Sequence, residues 1–203
     1  LCKQLAQSIK QSASATYFEK AVEKLKQKGF EFVEVDVPHI ESCLPCYYVL
    51  TPAEATSNLA RFDGVKYTTR ATDAKTLEDV YIKSRSEGFG KEVKRRIILG
   101  NFVLSSGYFD AYYNKARKLQ TWLGQEFDDA FADCDAIITP TSPYTAFKLG
   151  EKANDPISMY LEDLFTVPAS IAGVPAISIP YATAENGLPL GLQVIGKKHS
   201  EHL

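Results

Sequence analysis

RSEGFGKEVKRRIILGNFVLSSGYFDAYY, residues 85–113, is the stretch from which the rest of the chain is most readily read. Ser86-Glu87-Gly88-Phe89-Gly90 reads as a turn. A helix is predicted after it, with Val93, Ile97 and Gly100 on one face and Lys91, Glu92, Lys94 and Arg95 mostly elsewhere. Arg96 lies beside the apolar face. Glycines at 88, 90, 100 and 107 inside an apolar, aromatic-rich segment mark helix breaks or places where another backbone or a ligand must come close. By composition the stretch is a helical hairpin.

Working outward, the N-terminal side alternates helix and strand. Thr16-Tyr17-Phe18-Glu19 has capping-box form, and Phe18, Ala21, Val22 and Leu25 follow at helical spacing up to Gly29. Val33, Val35 and Val37 alternate with Glu34 and Asp36, the pattern of a half-buried strand over 32–37 ended by Pro38. Thr51-Pro52-Ala53-Glu54 is a second capping box with proline at the first helical position, predicting a helix that ends near Asp63-Gly64 and leaving Tyr47 and Tyr48 just ahead of it. A further helix from Thr76 carries Leu77, Val80 and Tyr81 toward Gly88.

On the C-terminal side, Tyr112, Ala116, Leu119, Leu123, Phe127 and Phe131 recur at three- and four-residue steps, a core-facing stripe of one long helix running to about Asp133. Ala136 to Thr139 reads as a buried strand stopped by Pro140. Between Pro140 and Pro156 there is no periodicity, and a loop of that length in a compact domain is usually functional or disordered. Helices over 157–164 and from Pro168 to Gly173, a strand over 176–179, an Asn186-Gly187 turn and a return strand over 190–195 complete the chain. Helices alternating with buried strands predict the α/β class.

Composition narrows the function. The 203 residues are 45% hydrophobic and 24% charged, with a formal net charge of −2, so no basic stripe is available to hold nucleic acid directly. Nothing approaches the roughly 20 apolar residues of a membrane span, and no secretory signal opens the chain, so a cytoplasmic setting is expected. The only methionine is Met159, which makes Leu1 the start of a fragment in expectation. Cys43-Leu44-Pro45-Cys46 has redox or half-zinc spacing, but no second pair accompanies it, and Cys2 and Cys134 stand apart. With histidines only at 39, 199 and 202, a Ser-His or Cys-His pair is poorly supported. Ser105-Ser106-Gly107 sits in apolar helical sequence with no base at a predictable distance, which favours packing over nucleophilic chemistry. From the residues alone, Arg96 reads as a surface arginine beside a helix seam and Asp163 as an exposed helix residue.

The wording of several segments goes further. YYVLTPAEATSNLARFD at 47–63, the 85–113 stretch, ITPTSPYTAFKLGEKANDP at 138–156, MYLEDLFTVPASIAGVPAISIP at 159–180 and GLPLGLQVIGK at 187–197 resemble the amidase signature family over nearly the whole chain. TVPASIAGVPAISIP suits many amidases. SEGFG, VKRRI, LSSGY and the AEATSNLARFDG block resemble more narrowly its tRNA-dependent branch, the A subunits of glutamyl-tRNA(Gln) amidotransferases.

The resemblance implies an α/β fold with a mixed β-sheet flanked by helices, of which residues 1–203 form the C-terminal part of a single amidase domain. It implies hydrolysis of glutamine by a Ser-cis-Ser-Lys triad, and that triad belongs to an N-terminal half absent here, so this chain supplies no catalytic residue. It assigns substrate recognition to Arg96 for the α-carboxylate of glutamine, Asp163 for the α-ammonium and Tyr47 as pocket lining. It implies the amidotransferase's B and C subunits as partners, tRNA reached through the B subunit, and ATP with Mg used at the partner subunit rather than by any cofactor of this chain. Cys43 and Cys46 depart from the family, which mostly carries other small residues there. Another amidase signature hydrolase acting on a simple amide, or a non-catalytic interaction module, are the alternatives; an upstream lysine and serine signature would argue against the module. An exposed strand edge and apolar surface are expected of such a part.

Overall fold

The computed structural model describes residues 2–152 and 155–202. It divides into two compact units, one of residues 1–46 with 119–203 and one of residues 47–118.

In the first unit, α1 (Ala6–Gln11) leads into α2 (Ala15–Gln27), which buries Phe18, Ala21 and Val22. The expected capping box at Thr16 does not form. The helix begins earlier, and the Ser14 hydroxyl instead contacts the Ser12 hydroxyl and donates to the Ser142 carbonyl. Gly29 at φ 92° stops the helix as expected.

The strand expected over 32–37 is corrected to an extended segment. Val35 and Val37 are buried as the alternation required while Val33 is exposed, and the one strand pairing among the described residues there is a parallel bridge from Val35 to Cys2. A hydrophobic alternation specifies a face, whereas a ladder also needs a neighbouring strand, and the described residues offer only this one.

Residues Asn114–Ala130 form α6, whose buried Ala116, Leu123 and Phe127, followed by Phe131, realise the predicted stripe in part: Leu119 is half-buried, and Tyr112 lies ahead of the helix and is exposed. Strands β1 (Ala136–Pro140), β2 (Ala176–Thr183) and β3 (Pro189–Gly196) form an antiparallel sheet in the order β1-β3-β2. The Asn186-Gly187 turn joins β2 to β3 as expected, with Gly187 at φ 80°. The loop after β1 is irregular, as predicted, although its residues 153 and 154 lie outside the described residues. α7 (Pro156–Leu161) is shorter than the predicted 157–164 helix, so Asp163 falls in the turn after it and not on a helix. α8 (Val167–Ala172) ends at Gly173 in the left-handed region, as the sequence signals.

The second unit is helical. α3 (Cys43–Leu59) begins eight residues before the predicted capping box, so Pro52 lies inside it and Tyr47 and Tyr48 are on the helix rather than ahead of it. A proline there removes one N–H from the helix interior, and the buried Pro52 ring becomes part of the packing surface. α4 (Leu77–Gly88) starts where predicted, and Thr76 caps it: its hydroxyl accepts a hydrogen bond from the Asp79 amide at 3.0 Å. The turn expected over 86–90 shrinks to Phe89 and Gly90 between α4 and α5 (Lys91–Leu104), because Arg85 anchors the last turn of α4 by donating to the Leu59 and Phe62 carbonyls. Gly107 at φ 84° and a π-helical turn over Phe109–Tyr113 follow.

Among the described residues no helix is long and apolar enough to cross a membrane. The α/β class therefore stands, with the described strands antiparallel apart from the single Cys2–Val35 bridge.

Candidate functional site

Gly100 sets the geometry of the helical unit. A β-carbon added there would stand 2.0 Å from the Pro52 carbonyl oxygen and 2.2 Å from the Thr56 hydroxyl, so only glycine lets α5 press this closely on α3. The Thr56 hydroxyl donates to the Ile97 carbonyl at 2.8 Å across the same seam. Arg96 lies one turn before Gly100 on α5, and Tyr47 and Tyr48 lie about one turn before Pro52 on α3.

That seam brings Arg96 to the tyrosines. Its Nη1 donates to the Tyr47 hydroxyl at 3.4 Å, and its guanidinium carbon stands 5.7 Å from the centre of the Tyr48 ring. The two tyrosine rings pack edge to face with centroids 5.0 Å apart. Arg96 Nε donates to Glu92 at 3.1 Å, and Glu92's other oxygen takes Arg95 Nη1 at 3.1 Å. Burial disfavours the charged guanidinium, but hydrogen bonds to Tyr47 and Glu92 outweigh it and raise its pKa above the ordinary arginine value. Arg96 is thus a permanent cation with its side chain only 27% exposed. Such a group recognises planar anions, carboxylates above all.

Asp163 belongs to the other unit. Its carbonyl accepts from the Thr166 and Val167 amides and the Thr166 hydroxyl, fixing the turn that enters α8. It lines a cavity of about 360 Å³ together with Glu162, Thr166, Tyr144, Phe147 and Gly191, so the aperiodic loop and Asp163 come together. The loop is held by Glu162, which accepts from the Ser142 hydroxyl at 2.8 Å and pairs with Lys152. Lys152 in turn lies 5.4 Å from the Tyr144 ring centre and 4.9 Å from that of Phe147. Thr141 and Ser178 hydroxyls meet at 2.7 Å over Gly191, where a β-carbon would stand 2.5 Å from the Ser178 oxygen.

The structure thus joins Tyr47 to Arg96 and places Asp163 on the loop cavity. Tyr48, Glu92, Glu162 and Lys152 escape a reading of the sequence alone. Glu92 is recoverable, since a carboxylate four residues before an arginine on a helix is a standard pair; Lys152 is not, because its partners come from loop geometry.

Ser105 follows the last turn of α5 and its hydroxyl donates to the Phe102 carbonyl at 2.7 Å, a capping role. No disulfide joins the cysteines among the described residues. Burial raises the pKa of Cys43 and pushes that of Cys46 up to about 11, which leaves both protonated and weakly nucleophilic at neutral pH. Among the described residues no group of three or more His, Cys, Asp or Glu side chains is placed to hold a metal ion.

The family model described as Amidase matches residues 3–203. The A subunit of glutamyl-tRNA(Gln) amidotransferase from Koribacter versatilis (strain Ellin345) is 57% identical over 183 residues, 90% of this chain and 38% of that protein. The corresponding protein of Pelagibacter ubique (strain HTCC1062) is 56% identical over 182 residues, again 90% of this chain and 37% of the relative. Among solved structures, the A subunit of glutamyl-tRNA(Gln) amidotransferase from Thermotoga maritima superposes with a TM-score of 0.68 at 37% identity, covering 98% of this chain and 38% of that one. The chain therefore spans about two fifths of the length of these relatives.

Proposed function

The chain belongs to the amidase family, and from that premise we propose that it is the C-terminal portion of the glutaminase subunit of a Glu-tRNA(Gln) amidotransferase. In this reading the whole protein hydrolyses glutamine and passes the ammonia on for conversion of Glu-tRNA(Gln) to Gln-tRNA(Gln). The Ser-cis-Ser-Lys triad stands in the part of the protein outside this chain, and both compact units belong to one amidase domain completed by that part. The B and C subunits are the partners, tRNA is met through the B subunit, ATP and Mg act at the partner subunit, and the setting is cytoplasmic.

The chain's own contribution is substrate recognition. Arg96 takes the α-carboxylate, Asp163 the α-ammonium, and Tyr47 lines the pocket and steadies the guanidinium. The observation that carries this reading is the Arg96 guanidinium itself, a half-sheltered permanent cation backed by Tyr47 and Tyr48. Glutamine differs from a simple amide in carrying both an α-carboxylate and an α-ammonium, so a site selecting it calls for a cation and an anion together.

The test is glutaminase kinetics of the full-length subunit in complex with its partners, wild type against Arg96→Ala and Asp163→Ala. Each variant is expected to lower kcat/KM by roughly ten- to hundredfold, the value of one charge-assisted hydrogen bond at about 1.5–3 kcal/mol. Unchanged kinetics with intact assembly would move the reading to a simple-amide hydrolase or an interaction module.

A further inference from the structure

We propose that Glu92 is a positioning residue for substrate recognition, one that anchors the Nε edge of Arg96 and so presents the opposite, Nη end of the guanidinium to the ligand carboxylate. The inference rests on the glutamine reading above. A guanidinium has five N–H donors in a rigid plane and can take a carboxylate either along its Nε side or across its two Nη nitrogens. Here the Nε donor is committed to Glu92 at 3.1 Å, and one Nη1 donor to the Tyr47 hydroxyl at 3.4 Å. The remaining donors are all on the Nη nitrogens. The Tyr48 ring closes one face at 5.7 Å, so rotation about the last side-chain bonds is opposed on the Nε side by Glu92, at Nη1 by Tyr47 and on the face by Tyr48. The ligand carboxylate is left one approach, across the end.

Glu92 can hold this post without cancelling the cation it serves. Its second oxygen is taken by Arg95 at 3.1 Å, so one carboxylate is shared between two guanidinium groups and the trio keeps a net positive charge. Glu92 and Arg96 are four residues apart on α5, a spacing that holds the pair in register without help from other elements.

Two effects of removing Glu92 would have opposite signs. If Glu92 anchors the fork, losing its acceptor weakens glutamine binding. If it competes with the substrate for Arg96, losing its charge strengthens it. The experiment compares Glu92→Gln, which keeps an acceptor oxygen for Nε, with Glu92→Ala in the full-length subunit in complex with its partners. Substrates are glutamine and γ-aminobutyramide, which is glutamine without its α-carboxylate. Anchoring predicts that Glu92→Ala raises KM for glutamine about five- to tenfold with kcat within about twofold, as loss of one hydrogen bond would. Glu92→Gln stays near wild type, and γ-aminobutyramide distinguishes none of the three enzymes. A lower KM in both variants, an equal rise in both, or an equal effect on the two substrates would overturn the proposal. Arg96→Ala is measured in parallel. If it too leaves glutamine KM unchanged, the glutamine reading fails; if it raises KM while Glu92→Ala does not, only the role of Glu92 fails.

Discussion

At position 100 a single methyl group separates two outcomes. Gly100→Ala would drive a β-carbon to 2.0 Å from the Pro52 carbonyl, backbone that cannot swing aside as a flexible side chain can. Parting α5 from α3 is expected to cost about 1–3 kcal/mol, as overpacking usually does. A lower midpoint in thermal unfolding of the full-length subunit would show it, and a raised KM for glutamine would show that the seam also aims Arg96. The sequence marks four glycines of the 85–113 stretch alike, as breaks or close approaches. Gly100 is the close approach and Gly107 a left-handed break, whereas Gly88 and Gly90 have no atom within 4 Å of an added β-carbon. Only the partner element distinguishes these cases, and α3 comes from a segment some forty residues away. The roles proposed for Arg96 and Asp163 come from the resemblance to a family, since their charges alone fit an ordinary surface.

Among the elements, most of those the sequence discloses are specified by local chemistry, although the local capping-box signal at Thr16 fails. The start of α4 after Thr76, the Gly29 and Gly173 stops, the Asn186-Gly187 turn and the buried part of the α6 stripe depend on residues within a turn or two of one another. The strand over 32–37 needs a neighbouring strand, and α3 starts ahead of its local capping signal, so local pattern misplaces both. The early start of α3 has its own consequence, because it places the buried Cys43 and Cys46 on a helix ahead of the expected capping box. Their pKa values in the folded state are raised, chiefly by burial, so folding favours the protonated thiols. The stabilisation they lend is complete below the ordinary thiol pKa of about 8.5 and is lost as pH rises toward 11 and beyond. Denaturant unfolding is therefore expected to show stability falling over that alkaline range, with a shallower fall in Cys46→Ala.

For the molecule as a whole, the sheet is the informative feature. β2 stands at one edge of the order β1-β3-β2, and its Ile177 and Ile179 are 62% and 44% exposed. An apolar edge strand is a template for pairing, and natural chains normally cover or charge it. The 203-residue chain made alone is thus expected to bind a hydrophobic dye and to self-associate more strongly than the full-length subunit, as dye fluorescence and sedimentation velocity would report. Equal behaviour of the two would mean that this edge is tolerated bare.

The same sheet holds a quieter constraint. Gln193, buried on β3, donates through its one amide nitrogen both to the Thr139 hydroxyl at 2.9 Å and to the Phe165 carbonyl at 2.7 Å. One side chain thereby gauges the distance between a core strand and the turn that carries Asp163. Glutamate at that position could still accept from the Thr139 hydroxyl but would set an oxygen against the Phe165 carbonyl with no proton between them. The identity of residue 193 is therefore answerable to the placement of Asp163 as well as to the packing of the sheet, and a designer free to repack this core would have to leave that amide in place.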